Sequence, residues 1–61
     1  MTNLIAKQTQ KAINILMAKY NCPMIGGEYD ETELDQGKMS QEDNDIYEAL
    51  FLQRQLLNQQ S

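Results

Sequence analysis

One stretch decides how this chain folds: residues 46–57, which read Ile46-Tyr47-Glu48-Ala49-Leu50-Phe51-Leu52-Gln53-Arg54-Gln55-Leu56-Leu57. At the helical step of about 100° per residue, one wide apolar arc contains Ile46, Tyr47, Leu50, Phe51 and Leu57. A second arc, on the roughly opposite side, contains Ala49, Leu52 and Leu56. The surface helix of a monomer normally has one apolar face. We therefore predict that this helix is covered on both sides.

The signals before this stretch place the start of the helix. Ser40 is a preferred N-cap residue, and Asp43 follows three residues later as a carboxylate variant of the capping box. Further acids in the first turns and Arg54 later in the helix suit the helix dipole. The pattern predicts a helix over about residues 41–60.

A second amphipathic helix is predicted over about residues 3–20. Its apolar arc consists of Ile5, Thr9, Ala12, Ile13, Leu16, Met17 and Tyr20. Leu4 and Ile15 lie outside that arc, eleven residues apart and so on a separate small patch. The helix should end near Asn21, because Pro23 disfavours helical backbone before it and cannot extend the hydrogen-bond ladder.

The segment between the helices, about residues 21–39, is rich in turn-forming residues. One interpretation is a short helix over about residues 31–36, capped by Asp30, with Leu34 facing inward and Gly37 ending it in a left-handed turn. The alternative is an irregular loop that becomes ordered on binding.

Two long helices joined in this way predict an all-α antiparallel helical hairpin, a single small domain over residues 1–61 with an acidic connecting segment. A domain of this size has little core of its own. We expect a homodimeric four-helix bundle to complete it, although a heteromeric partner would meet the same need. The apolar residues assigned to this interface are Leu4, Ile15, Ala49, Leu52 and Leu56.

Charge is strongly segregated along the 61 residues. The net charge of −4 combines nine acids with five bases. Residues 1–27 hold three lysines and no acid, residues 28–48 hold all nine acids and one lysine, and residues 49–61 hold only Arg54. Such asymmetry is informative about partners. The acidic middle disfavours contact with nucleic-acid phosphates.

Catalysis is not expected from this composition. There is no histidine to activate Cys22, and no internal disulfide is possible with one cysteine. The acids do not follow the spacing of a calcium-binding loop, and no phosphate-loop lysine follows Gly26-Gly27. We predict no enzyme activity, cofactor or metal. We also predict no membrane contact and a cytoplasmic location, since no signal or membrane-spanning segment is evident.

The sharpest functional feature is the acidic segment. Its field favours a positively charged partner, and a protein that binds nucleic acid is the natural target class. The residues assigned to partner binding are Glu28, Tyr29, Asp30, Glu31, Glu33, Asp35 and Tyr47, the tyrosines acting as anchors. The size and charge are also typical of small proteins encoded by phages and mobile elements, many of which inhibit a host protein, although no motif supports that likeness.

Two alternatives remain open. In the first, the chain is a structural or assembly subunit whose apolar helix faces pack on a partner protein, and the acidic segment serves only solubility. In the second, a dimer binds nucleic acid through Lys7 and Lys11.

Overall fold

The computed structural model describes residues 2–59 and contains two antiparallel helices, α1 (Thr2–Lys19) and α2 (Gln41–Gln59). The predicted helical hairpin is confirmed, and both helices begin within a residue of their predicted starts. The predicted end at residue 60 lies outside the described residues. The hairpin is a flat slab, with Cα extents of 33 × 28 × 15 Å.

The C-terminus of α1 is closed by its own backbone. Asn21 adopts a left-handed conformation (φ 59°), and the amides of Asn21 and Cys22 donate to the carbonyls of Ala18 and Met17. This is a Schellman motif, and asparagine tolerates the left-handed conformation better than most residues do. The helix therefore ends where the sequence indicated, and Pro23 lies just beyond its cap.

The connecting segment contains a small hairpin that the sequence analysis did not predict. Strands β1 (Met24–Ile25) and β2 (Glu28–Tyr29) pair antiparallel, with Met24 opposite Tyr29. The turn between them uses Gly26 and Gly27, both at positive φ (62° and 85°). Two successive left-handed residues are typical of the tight turns whose twist matches paired strands.

The predicted short helix over residues 31–36 is wrong. Two separate 3₁₀ turns, Glu31–Glu33 and Gln36–Lys38, replace it. Asp30 does cap the first turn, accepting from the Thr32 amide at 3.1 Å, but Gly37 lies inside the second turn and not at a left-handed helix end. Each turn is started by an aspartate that accepts a backbone amide two residues later, which favours short turns over one continuous helix.

The N-terminus of α2 is capped by Ser40 as predicted, but the reciprocal bond of the capping box is absent, because the Ser40 amide donates to the Tyr20 hydroxyl and not to Asp43. The Ser40 hydroxyl accepts a hydrogen bond from the Asp43 amide at 3.1 Å, and the Ser40 carbonyl accepts from the Asn44 amide at 2.9 Å. In α1, the Thr9 hydroxyl donates back to the Ile5 carbonyl at 2.8 Å, so this buried polar group is satisfied within its helix.

The core lies between the helices and beneath the connecting segment. Ile13 and Met17 of α1 are fully or almost fully buried. The remaining buried apolar side chains are Leu16, Cys22, Met39 and Tyr47, with Tyr20, Tyr29, Leu34, Leu50 and Phe51 packed around them. Within residues 2–59, neither long helix has the apolar length that a bilayer-spanning segment requires.

Candidate protein-binding surface

The acidic segment is fixed to the helices by one charged pair. The Arg54 guanidinium forks onto Glu31, with Nη1 at 2.5 Å from Oε1 and Nη2 at 2.8 Å from Oε2. Tyr47 donates its hydroxyl to Glu31 Oε2 at 3.1 Å, and Gln10 accepts from Arg54 Nη1 at 2.9 Å. We call Gln10, Glu31, Tyr47 and Arg54 the polar latch. It joins α1, the connecting segment and α2 at one point.

Electrostatics in the polar latch favour its charged form. The hydrogen bond from Arg54 holds the pKa of Glu31 below its usual range, against the opposing effect of partial burial. The same hydrogen bond raises the pKa of Arg54. The pKa of Tyr47 is raised, first by burial and then by the negative charge of Glu31. The latch is therefore a carboxylate held between a guanidinium and a neutral phenol.

A second polar cluster ties the end of α1 to the start of α2. The Asp43 carboxylate accepts from Lys19 Nζ at 2.7 Å and from the Tyr20 hydroxyl at 2.5 Å. The Tyr20 hydroxyl in turn accepts from the Ser40 amide at 3.2 Å. The hydrogen bond from Lys19 is the main reason that the pKa of Asp43 lies below its usual value. This cluster joins the two helices at the end of the hairpin where the connecting segment leaves α1 and enters α2.

The structure separates the predicted partner-binding residues into two groups. Glu28, Glu33 and Asp35 are exposed on the connecting segment, and Tyr29 and Asp30 are half-buried beside them. Tyr47, by contrast, belongs to the core at 6% exposure. Glu31 is taken up by the polar latch. These last two residues order the segment from beneath and do not form part of its outer surface.

Two exposed apolar residues next to the acids were not included among the predicted binding residues. Met24 and Ile25, which form strand β1 of the small hairpin, are 57% and 66% exposed. The signal was present in the run of two apolar residues, two glycines and Glu28. The sequence pattern indicates only a turn-rich segment here, because strands of only two residues are too short for an alternating pattern to be visible.

The predicted oligomer residues do not form one surface. Leu4 and Ile15 are each 63% exposed, Leu52 and Leu56 are each 59% exposed, and Ala49 is also exposed. At about 100° per residue, Leu4 and Ile15 lie roughly opposite the buried Ile13, and Leu56 lies roughly opposite the buried Tyr47. Leu4 and Ile15 therefore lie on the outer side of α1 and Leu52 on the outer side of α2, at the two long edges of the slab. Leu56 lies at the border between that edge and the side of α2 away from the connecting segment.

A different apolar surface lies where α1 and α2 meet, and we call it the open face. By helical spacing its α1 residues lie roughly opposite Gln10 of the polar latch, whereas its α2 residues lie about 60–100° from Tyr47, on the side of α2 next to α1. It consists of the exposed Ile5 and Ile46 and the half-buried Ala12, Leu50 and Leu57, with the buried Leu16 beneath them. Ile5 is 50% exposed and Ile46 is 45% exposed. None of these six residues is charged, which is typical of the central part of a protein interface.

The surface also contains a groove beside α2. It has a volume of about 320 Å³ and is lined by Gln36, Tyr47, Glu48, Phe51 and Leu52. The Tyr47 and Phe51 rings form its aromatic part, with centroids 6.0 Å apart. The Arg54 guanidinium lies 5.3 Å from the Phe51 ring centroid, which holds that ring in place. The groove borders the outer side of α2.

The one cysteine and the carboxylates are the groups whose chemistry the structure describes in most detail. Cys22 is a buried free thiol, and burial is the main cause that raises its pKa, with the charge of Asp30 adding to it. A raised pKa disfavours the thiolate that acts as a nucleophile. Within residues 2–59, no three Cys, Asp or Glu side chains come close enough to hold a metal ion.

Comparison with known proteins gives no relative from which a function could be transferred. No protein-family model matches the chain, and neither the curated proteins nor the solved structures show a significant similarity to it.

Proposed function

We propose that this chain is a non-enzymatic protein-binding module that acts in the cytoplasm as a small inhibitor or regulator of a basic, nucleic-acid-associated protein. The observation that supports this most is the exposure of Glu28, Glu33 and Asp35 on one ordered segment. Their field would steer a positively charged partner toward the segment.

The placement of the bases strengthens the proposal. Arg54 is engaged with Glu31, and Lys19 with Asp43, so each of these bases balances a carboxylate that is at least partly buried. Lys38 and Lys19 share a surface depression with Glu33 and Asp35 and offset part of the charge there. Glu28 and the exposed Met24 and Ile25 lie at the other end of the segment, where carboxylate and apolar anchor would meet the partner together.

The test compares two variants that lose equal charge from different places. The segment variant is Glu28→Gln, Glu33→Gln and Asp35→Asn, in which asparagine can still cap the second 3₁₀ turn. The control is Glu42→Gln, Asp45→Asn and Glu48→Gln on α2. Each tagged chain is incubated with nuclease-treated lysate of the source cell, and captured proteins are identified by mass spectrometry at several salt concentrations.

We expect the wild type and the α2 control to retain the same basic, nucleic-acid-binding protein and the segment variant to lose it. Retention by the wild type should weaken as salt is raised. Equal retention by both variants, with no salt dependence, would contradict a role for the acidic segment.

The second candidate function is an assembly subunit, favoured by the open face. In this proposal the homodimeric four-helix bundle forms when two open faces pack together. The broad side of the slab, 33 × 28 Å between Cα extremes, is comparable with the roughly 800 Å² that each partner contributes to a standard interface. Ile5→Gln with Ile46→Gln should then yield a monomer in sedimentation, whereas Leu52→Gln with Leu56→Gln should not.

A further inference from the structure

The two long edges of the slab carry opposite charge around similar apolar pairs. We define the α1 edge as Leu4, Lys7, Lys11 and Ile15, and the α2 edge as Asp45, Glu48, Leu52 and Leu56. All eight residues are exposed. Helical spacing places the first four on the side of α1 that faces away from α2, and the other four on the side of α2 that faces away from α1. The α1 edge carries two positive charges and the α2 edge two negative charges.

We propose that the α1 edge of one copy binds the α2 edge of a second copy. Opposite charges would meet across this contact, and the apolar pairs of both edges would be removed from water together. Two α1 edges or two α2 edges brought together would instead place like charges side by side. The contact is therefore heterologous and separate from both functions proposed above, which use the acidic segment or the open face.

The helix alignment within one chain indicates how the edges would meet. Thr9 bonds Gln53 and Tyr20 bonds Asp43, so Ile15 is level with about residue 48 of an antiparallel α2. If a second copy lies beside the first with the same alignment, Ile15 reaches the groove lined by Tyr47, Phe51 and Leu52. Lys11, one turn away from Ile15, would then be within reach of Glu48 of that copy.

A heterologous contact uses a different surface on each copy. Every added copy therefore leaves one free edge at each end of the assembly, and growth continues unless a ring closes. The contact involves one helix from each copy and is smaller than a standard interface, so we expect it to be weak and dependent on concentration.

The decisive experiment reverses the charge of each edge and then mixes the two variants. The first variant is Lys7→Glu with Lys11→Glu, and the second is Asp45→Lys with Glu48→Lys. The control for the second is Glu28→Lys with Glu33→Lys, which makes the same charge change on the connecting segment. Sedimentation velocity is recorded for each chain alone and for an equimolar mixture of the two edge variants, after circular dichroism has established that each is helical.

Each edge variant alone should associate roughly tenfold more weakly than the wild type, or not at all, because both its edges then have the same sign. The mixture should recover wild-type association, since each edge again meets one of opposite charge. The Glu28/Glu33 control should associate like the wild type. The salt dependence of the wild type is a further test that needs no variant. Its association should weaken between about 0.1 and 1 M salt, because the Debye length falls from about 10 to about 3 Å over that range.

Three results would overturn the proposal. One is association of both edge variants alone at wild-type strength. Another is a mass that stops at the dimer and is insensitive to edge charge, which would instead support the open-face bundle. The third is a wild-type chain that stays monomeric at all concentrations tested.

Discussion

Arg54 in α2 and Glu31 in the connecting segment form a forked ion pair whose side chains are 20% and 26% exposed. The pair links positions 23 residues apart and holds the acidic segment against the helices. Tyr47 and Gln10 complete the hydrogen bonding around it. One carboxylate of the acidic segment thus positions the segment, whereas Glu28, Glu33 and Asp35 remain exposed.

The first prediction concerns the free energy contributed by this pair. Glu31→Gln or Arg54→Met should lower the free energy of unfolding by about 1–3 kcal/mol, because each leaves a partly buried partner without its charged hydrogen bonds. The double variant should lose less free energy of unfolding than the two single variants lose together. Urea unfolding of the wild type, both single variants and the double variant measures this coupling. Strictly additive effects would show that the pair contributes nothing beyond packing.

The pH dependence of stability provides a second prediction. Because the folded pKa of Glu31 is lowered, its contribution is present above the unfolded pKa and is lost as pH falls through the folded pKa. The difference in unfolding free energy between the wild type and Glu31→Gln should be constant near neutral pH and shrink from about pH 5 downward. A difference that stays constant down to pH 3 would contradict the charged form of the latch. Asp43 titrates in both chains, so its effect cancels from the comparison.

The helices were predictable because their determinants are local. Periodic apolar residues, the Ser40 cap and the turn residues around Pro23 act within a few positions of one another. The polar latch was not predictable, because Arg54 and Glu31 meet only after the segment folds back across α2. Viewed along the sequence, Arg54 was assigned to the helix dipole and Tyr47 to the acidic surface. Both assignments relied on residues nearby in the sequence, whereas the partner that both side chains bind, Glu31, is distant from them in the chain.

The third prediction tests the turn of the small hairpin. Gly27 has a φ of 85°, and no atom lies within 4 Å of the position that a Cβ would take. Gly27→Val should therefore destabilise the hairpin through backbone strain alone, by about 1–2 kcal/mol. Gly26→Asn, at a φ of 62°, should be nearly neutral because asparagine tolerates that conformation. Amide hydrogen exchange in residues 24–29 reports the difference, and equal exchange in both variants would contradict it.

The edges of the slab illustrate a second limit of sequence reasoning. The helical wheel placed Leu4, Ile15, Leu52 and Leu56 outside the main apolar arcs and predicted that a partner covers them; in the single chain all four are exposed. It could not place one helix relative to the other, so all four were assigned to a single interface. Only the antiparallel packing of α1 on α2 shows that the pairs are on opposite edges. The same packing leaves the open face with Ile5 and Ile46, which the wheel had counted as core.

The last prediction uses two isoleucines of the same helix. Ile13 is fully buried and Ile15 is 63% exposed, so Ile13→Ala and Ile15→Ala remove the same atoms from opposite environments. Ile13→Ala should lower the free energy of unfolding by about 2–5 kcal/mol, because apolar burial is lost and a cavity is left behind. A domain of this size has roughly 3–9 kcal/mol of stability in total, so this variant should be largely unfolded or close to it. Ile15→Ala, compared at a concentration where the chain is monomeric, should change the urea midpoint little. Similar losses in both variants would mean that α1 does not pack on α2 through the face that contains Ile13.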